Sequence, residues 1–158
     1  MRVRSDRRFR VDAPPAVVWA ALDGVDRYPS WWPWLRVFRA RGLVAEEAWT
    51  CVVQPPLPYR LRFRLHLDEV VAPSLVRATI SGDLAGWARL DLVPVSGSVP
   101  AGDPTATEIR LRSDLGPTGR LPRTMGTLAP PLARFGHDWV LDNGIRQFRR
   151  ALRSDDRR

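Results

Sequence analysis

Residues Leu128 to Leu152, LAPPLARFGHDWVLDNGIRQFRRAL, decide how the rest of the chain is read. The stretch has no proline after Pro131 and runs about six helical turns, long enough to span a small domain. Pro130 and Pro131 suit a first turn, whose N–H groups have no intrahelical partner. The spacing therefore predicts one long C-terminal helix. At about 100° per residue, Leu132, Phe135, Trp139 and Asn143 share one stripe, and Leu141, Ile145, Phe148 and Leu152 share another on nearly the opposite side. A helix apolar on two sides is normally covered on two sides. Either it kinks at Asn143-Gly144 or something wraps around it, and a curved sheet gripping the helix is the economical arrangement.

The residues before the helix supply that sheet. Tyr59 to Asp68 is the cleanest strand: Tyr59, Leu61, Phe63, Leu65 and Leu67 alternate with Arg60, Arg62, Arg64, His66 and Asp68. One face is dry and the other wet, which makes His66 a surface histidine. Arg4 to Val11, Leu35 to Ala40, Glu46 to Val53, Leu75 to Ser81, Leu84 to Val93 and Thr107 to Leu115 read as further strands, separated by turn residues such as Gly82-Asp83 and a Ser/Gly/Pro loop from Pro94 to Pro104. Gly86, Ala88, Leu90 and Leu92 then face inward, as do Ile109, Leu111, Ser113 and Leu115, while Trp87 points out. Gly86 and Ala88 are small residues that either let the helix approach or leave a void. Between the first two strands, Asp12 is an N-cap candidate and Pro14-Pro15 open a short helix that ends before Gly24. The expected fold class is α+β: a curved antiparallel sheet of about six to seven strands around the C-terminal helix, with two short helices after the first strand.

Tyr28-Pro29-Ser30-Trp31-Trp32-Pro33-Trp34 is the least ordinary segment, with four aromatics in seven residues. So dense a cluster cannot all enter one small core. It is either a brace that closes one end of the sheet or a cavity rim at which indoles face a lipophilic ligand.

Composition narrows the function classes. The 158 residues suffice for one domain with a real core, taken as 1–158. No apolar run approaches the ~18 residues of a membrane span, and MRVRSDRRFRV lacks the apolar core of a signal peptide, so a cytoplasmic protein is expected, without membrane insertion. The single Cys51 makes no internal disulfide and reads as a packed small apolar residue. With two histidines in the chain a zinc site would need scattered carboxylates, and neither a metal nor another cofactor is expected. All 25 basic residues are arginine, a bias that fits a GC-rich bacterial genome. The net charge of +8 could attract anions, but the arginines are dispersed among carboxylates, so nucleic acid is not the expected partner.

With this order of elements the chain resembles the SRPBCC, or START-like, superfamily, and within it the polyketide cyclase/dehydrase group. The resemblance rests on Pro14-Pro15-Ala16-Val17-Val18-Trp19, on Val25 to Trp34, on Gly82-Asp83-Leu84-Ala85-Gly86 and on His137-Asp138-Trp139. It implies a helix-grip fold with a deep apolar cavity between sheet and helix. Members bind lipids, sterols, polyketides or quinones, and a minority are enzymes. Cyclases of the group use polar cavity residues to orient a poly-β-keto chain, and no such set stands at the inward strand positions here, where Tyr59 and Ser113 are the only hydroxyls. No Ser/His/Asp set, phosphate loop or H-E-x-x-H motif occurs.

The expected function is therefore a carrier or sensor of a small lipophilic molecule. Its cavity lining or rim is assigned to Trp31, Trp34, Tyr59, Leu61, Phe63, Leu65, Gly86, Ala88, Leu111, Phe135, Trp139 and Asn143, with no catalytic residue. A first alternative is a cyclase or dehydratase in the same cavity, with Tyr59, His137 and Asn143 as polar groups. A second is a module that docks an acidic protein partner through a basic face. His137 reads as a hydrogen-bonded structural residue, Asp138 and Asp142 as helix-surface partners of Arg134 and Arg146, and Asn143 as needing a backbone, water or ligand partner.

Overall fold

The computed structural model describes residues 2–95, 105–119, 130–155 and 157, with side chains in the last helix from 134 onward. In chain order the elements are β1 (Val3–Val11), α1 (Pro15–Asp23), a 3₁₀ turn (Val25–Arg27), α2 (Tyr28–Trp31), β2 (Leu35–Arg39), β3 (Ala48–Val53), β4 (Leu61–Val71), β5 (Leu75–Gly82), β6 (Leu84–Val95), β7 (Ala106–Pro117) and α3 (Pro130–Asp155). The expected Pro94–Pro104 loop and the first residues assigned to the long helix, Leu128 and Ala129, lie outside the described residues apart from Pro94 and Val95, which extend β6.

All seven strands join one antiparallel sheet in the order β1-β7-β6-β5-β4-β3-β2. β2 to β7 form a meander, and β1 adds to its far edge beside β7. The register fixes one inward set, because side chains alternate across a strand. Cys51 stands opposite Phe63, Leu65 opposite Ile80, Ala78 opposite Ala88, and Leu90 opposite Leu111. The sheet curls around α3 as a half-barrel, the helix-grip arrangement.

α1 begins without the expected aspartate cap. Pro14 occupies the cap position, no side chain caps the turn, and Asp12 lies against Arg10 at 3.6 Å instead. With Pro15 in the first turn one of the free N–H groups is already absent, and the Pro14 carbonyl takes the first helical bonds from Val17 and Val18.

α3 runs unbroken through Asn143-Gly144, so the kink is not used. Three attachments hold it. Arg7, on β1, reaches Asp138 at 3.0 Å and Asp142 at 3.7 Å, while Arg149 lies over the Phe9 ring and donates to the Arg10 carbonyl at 2.8 Å. Asp142 is thus drawn to the sheet edge, where the sequence pattern had paired it with Arg146. The aromatic segment makes the second attachment, with Trp32 Nε1 donating to the Gly144 carbonyl at 3.0 Å and Trp34 Nε1 to Gln147 Oε1 at 2.9 Å. The third is the β3–β4 loop at Gly136, where a Cβ would come 2.9 Å from the Tyr59 hydroxyl and 3.1 Å from Leu57.

Only one of the two helix stripes is gripped. Leu141, Ile145 and Phe148 turn toward the sheet, with Phe148 4% exposed in a cluster with Val11, Val18, Ala21, Leu92 and Ile109. Phe135 is 51% exposed, and the Asn143 amide donates to the Trp139 carbonyl of its own helix at 2.9 Å. The backbone satisfies Asn143, so no outside partner is needed to explain it.

Candidate functional site

Between the sheet and α3 lies a cavity of about 500 Å³. Its walls follow from the register. β3 contributes Trp49, Cys51 and Val53, and β4 contributes Leu61, Phe63, Leu65 and Leu67. The middle strands add Val76, Ala78, Ile80, Ala88 and Leu90, and β7 adds Ile109, Leu111 and Ser113. α3 forms the roof with Gly136, His137, Val140, Leu141, Gly144, Ile145 and Phe148. The small pair Ala78 and Ala88, directly opposed in the sheet, keeps the floor low beneath the helix, and space remains.

Of the residues assigned from the sequence, Trp34, Tyr59, Leu61, Phe63, Leu65, Ala88 and Leu111 line this cavity. The other five are placed elsewhere. Trp31 stacks edge-on against Phe148 at 5.7 Å, with the Arg27 guanidinium over its ring at 5.2 Å. Gly86 serves the sheet: its φ is +152° and a Cβ would lie 1.9 Å from the Asp114 carbonyl oxygen, so the position is a close approach of β6 to β7. Phe135, Trp139 and Asn143 belong to the stripe that does not line the cavity. Where α3 meets the β3–β4 loop a small residue is needed, at Gly136, whereas a Cβ at Gly144 would make an ordinary contact of 3.4 Å with Trp34 Cζ2.

The sequence reading missed Trp32, Val140, Leu141, Ile145 and Phe148 as lining residues. The signal was present in Gly136 and Gly144, since glycines on one face of a long helix mark where neighbours come close.

The aromatic segment divides into two roles. Tyr28, 5% exposed, centres a cluster with Trp31, Trp32, Phe38 and Trp49 at ring separations of 4.9 to 5.8 Å, and its hydroxyl donates to the Leu22 carbonyl. That is a brace. Trp32 and Trp34, stacked at 5.7 Å, carry the brace onto the cavity wall. Every indole nitrogen in this wall has a partner, including Trp49 Nε1 on the Gly42 carbonyl at 3.0 Å.

Polar groups at the cavity are few. Ser113 is engaged with Ser5, the two Oγ atoms 2.8 Å apart. Burial pushes the Cys51 thiol up to about 12, which leaves it protonated and inert as a nucleophile. Burial also raises Tyr59, whose hydroxyl makes no hydrogen bond among the described residues. His137, with its side chain 14% exposed, directs Nδ1 to Asp138 at 3.4 Å, while Nε2 is buried without a partner. Desolvation lowers the His137 pKa below 6.5 against the opposing pull of Asp138, so the imidazole is neutral at pH 7. His66 sits on the outer face beside Asp68 at 2.8 Å and Glu46 at 3.4 Å. Among the described residues no group of three His, Cys, Asp or Glu side chains could hold a metal ion, and no helix is long and apolar enough to cross a membrane.

Comparison with known proteins agrees with this geometry. Residues 11–85 match a family model described as polyketide cyclase/dehydrase and lipid transport. No curated protein matches the sequence. A START superfamily protein from Mycobacterium smegmatis is similar in structure with a TM-score of 0.71 at 11% identity, over 96% of this chain and 97% of that one. The Zhui aromatase/cyclase from Streptomyces sp. R1128 is similar with a TM-score of 0.68 at 16% identity, over 100% and 96%. A conserved protein from Geobacillus kaustophilus is similar with a TM-score of 0.74 at 8% identity, over 96% of each chain. The matched segment covers Pro14 to Trp19 and Val25 to Trp34 whole and Gly82 to Ala85 of the third motif on which the resemblance rested, and over its whole length the chain shares the helix-grip fold of these solved structures.

Proposed function

We propose that the protein binds one small lipophilic molecule of lipid, polyketide or quinone type between the sheet and α3, and serves as a carrier or sensor in the bacterial cytoplasm, acting as one domain. Family and fold suggest a hydrophobic-ligand-binding or cyclase-type protein. The observation that carries the narrower reading is the cavity: about 500 Å³, within the size range of small-molecule sites, and walled almost wholly by aliphatic and aromatic side chains. Trp34, Tyr59, Leu61, Phe63, Leu65, Ala88 and Leu111 are the proposed contacts. The test is native mass spectrometry of the protein purified from its own cytoplasm, followed by denaturing extraction. A stoichiometric lipophilic adduct is expected; a clean apo mass together with no thermal shift across lipids, quinones and polyketides overturns the proposal.

One observation favours a second reading, a cyclase or dehydratase acting in the same cavity. Tyr59 and His137 both line the cavity, and a hydroxyl and an imidazole are groups that proton transfer to a keto chain would use. If Tyr59→Phe and His137→Ala leave turnover of every bound compound at background, that reading fails.

A further inference from the structure

We infer that the outer face of β2, β3 and β4 is a docking surface for an anionic phospholipid bilayer, held by arginines that have no partner within the protein. The inference goes beyond the cavity-binding reading and rests on it only for the choice of a bilayer as partner.

Register places these arginines. Arg39 on β2 stands opposite Thr50 on β3, Thr50 opposite Arg64 on β4, and Arg64 opposite Ser81 on β5. The next row runs Val37, Val52 and Arg62. Their chain neighbours Phe38, Cys51 and Phe63 line the cavity, so alternation turns both rows outward. With strands about 4.8 Å apart, Arg39 and Arg64 flank Thr50 with their Cα atoms about 10 Å from each other. Arg39, Arg62 and Arg64 are exposed and make no ion pair among the described residues, and neither do Arg36 and Arg41 of the same hairpin. Two carboxylates at the border of this patch are engaged: Asp83 Oδ2 accepts the Arg62 backbone N–H at 2.8 Å, and Glu46 lies 3.4 Å from His66. The other half of the outer face is neutralised. Arg4, Arg10, Arg77, Arg89, Arg110 and Arg112 each hold a carboxylate at 2.7 to 3.6 Å, and Arg8 alone does not.

The chemistry of the patch selects its partner. A groove of about 320 Å³ at the β2–β3 hairpin is lined by Arg39, Arg41 and Thr50, with Glu47 its one carboxylate, and gives a phosphate head group two guanidiniums and a hydroxyl. Protein partners and single-stranded nucleic acid are gripped through aromatic anchors. Here only Val37, 39% exposed, and the half-buried Val52 stand among the arginines, while the outward Trp87 is two strands from Arg64, on β6. A layer of anionic head groups needs no anchor, only positive charge within about a Debye length of it. On the cavity-binding reading the cargo itself partitions into bilayers, so a bilayer is the surface at which it is collected or released.

The experiment is sedimentation of the full chain with vesicles of phosphatidylcholine containing about one-third phosphatidylglycerol, and with vesicles of phosphatidylcholine alone. Binding is expected on the anionic vesicles only, weakening steeply between about 0.05 and 0.3 M salt. Arg39→Gln, Arg62→Gln and Arg64→Gln combined should lower the partition coefficient about a hundredfold, at about fivefold per arginine. Arg77→Gln, Arg89→Gln and Arg110→Gln combined remove the same charge from the neutralised half and should lower it less than about threefold. Equal losses in the two variants would mean that the vesicles sense net charge alone and overturn the inference, as does absence of binding to the anionic vesicles. Binding of poly-L-glutamate through Arg39, Arg62 and Arg64 without binding of vesicles assigns the face to an acidic protein and overturns the bilayer. Should a combined variant not fold, Arg64→Gln against Arg77→Gln makes the same comparison, with about a fivefold loss expected for the first and none for the second. Native mass spectrometry reads the cavity separately: a clean apo mass beside intact vesicle binding fails the cavity reading alone, and a lipophilic adduct without vesicle binding fails this inference alone.

Discussion

The two ends of α3 are built on opposite rules. Around Gly144 to Phe148 the polar atoms of the aromatic segment are paired: Trp32 to the Gly144 carbonyl, Trp34 to Gln147, and the Tyr28 hydroxyl to Leu22. Around Gly136 and His137, the Tyr59 hydroxyl packs against Gly136, and His137 Nε2 is buried without a partner. Burying a polar group without a partner destabilises the fold, so a region that does so is either compensated or reserved for a ligand. The aromatic end maintains the fold, and the histidine end lines the cavity with fewer of its polar atoms paired. Substitutions should therefore separate cleanly, with stability falling most at the aromatic end.

Phe148→Ala carries the largest expected effect. Phe148 joins the cluster under α1 and meets Trp31 edge-on, and removing a buried aromatic of this kind costs about 3–5 kcal/mol, a fall in Tm of roughly 10 °C for a chain of this size. Thermal unfolding followed by circular dichroism measures it; a fall under 3 °C would mean that this end is not the brace. Trp32→Phe should cost less, about 1–2 kcal/mol, because the ring is largely kept while the Nε1 bond to Gly144 is lost. Tyr59→Phe should change Tm by less than about 1 °C, since its hydroxyl makes no bond among the described residues that unfolding would break. If Tyr59→Phe proves as costly as Trp32→Phe, the contrast between the two ends collapses.

How much of this was readable before any coordinates can be judged residue by residue. The sheet was, because strict alternation from Tyr59 to Asp68 and from Thr107 to Leu115 admits only one dry face, and a dry face in a meander needs a cover. The grip on a terminal helix followed from that helix being long enough. Which stripe it presents did not follow, since Phe135 and Trp139 look as apolar as Leu141 and Ile145 on a wheel; approach distance decided it, and only Gly136 and Gly144 hint at that. Gly86 was legible as small but not as a β6–β7 contact, because its role depends on register with Asp114. Cavity size depends on sheet curvature, which no local pattern encodes. The pairing of Asp142 with Arg7 joins β1 to α3 across nearly the whole chain, whereas sequence patterns report only near neighbours.

The smallest expected effect is also the most specific to the histidine end. Desolvation holds the folded-state pKa of His137 below 6.5; Asp138 opposes this, and Arg7 from β1 and Arg134 from α3 reinforce it. Below pH 6.5 the unfolded chain takes up a proton that the folded chain refuses, so stability from this residue is complete above pH 6.5 and drains as pH falls through the folded value. His137→Leu removes that loss. The difference in Tm between His137→Leu and wild type should be flat above pH 7 and grow in favour of the variant from pH 6.5 toward pH 5. The carboxylates do not intrude on this window. Hydrogen bonds from Arg110, Arg89 and Arg2 hold Asp6, Asp91 and Asp114 respectively below 3.8, so their contribution is intact until pH falls under about 5. Asp138→Asn sharpens the result, because it removes the group that raises His137: the loss should still begin near pH 6.5, the unfolded value, but continue to lower pH and become larger. A difference curve that stays flat from pH 8 to pH 5 would show that His137 is solvated and that its desolvation by the packed helix end is not real.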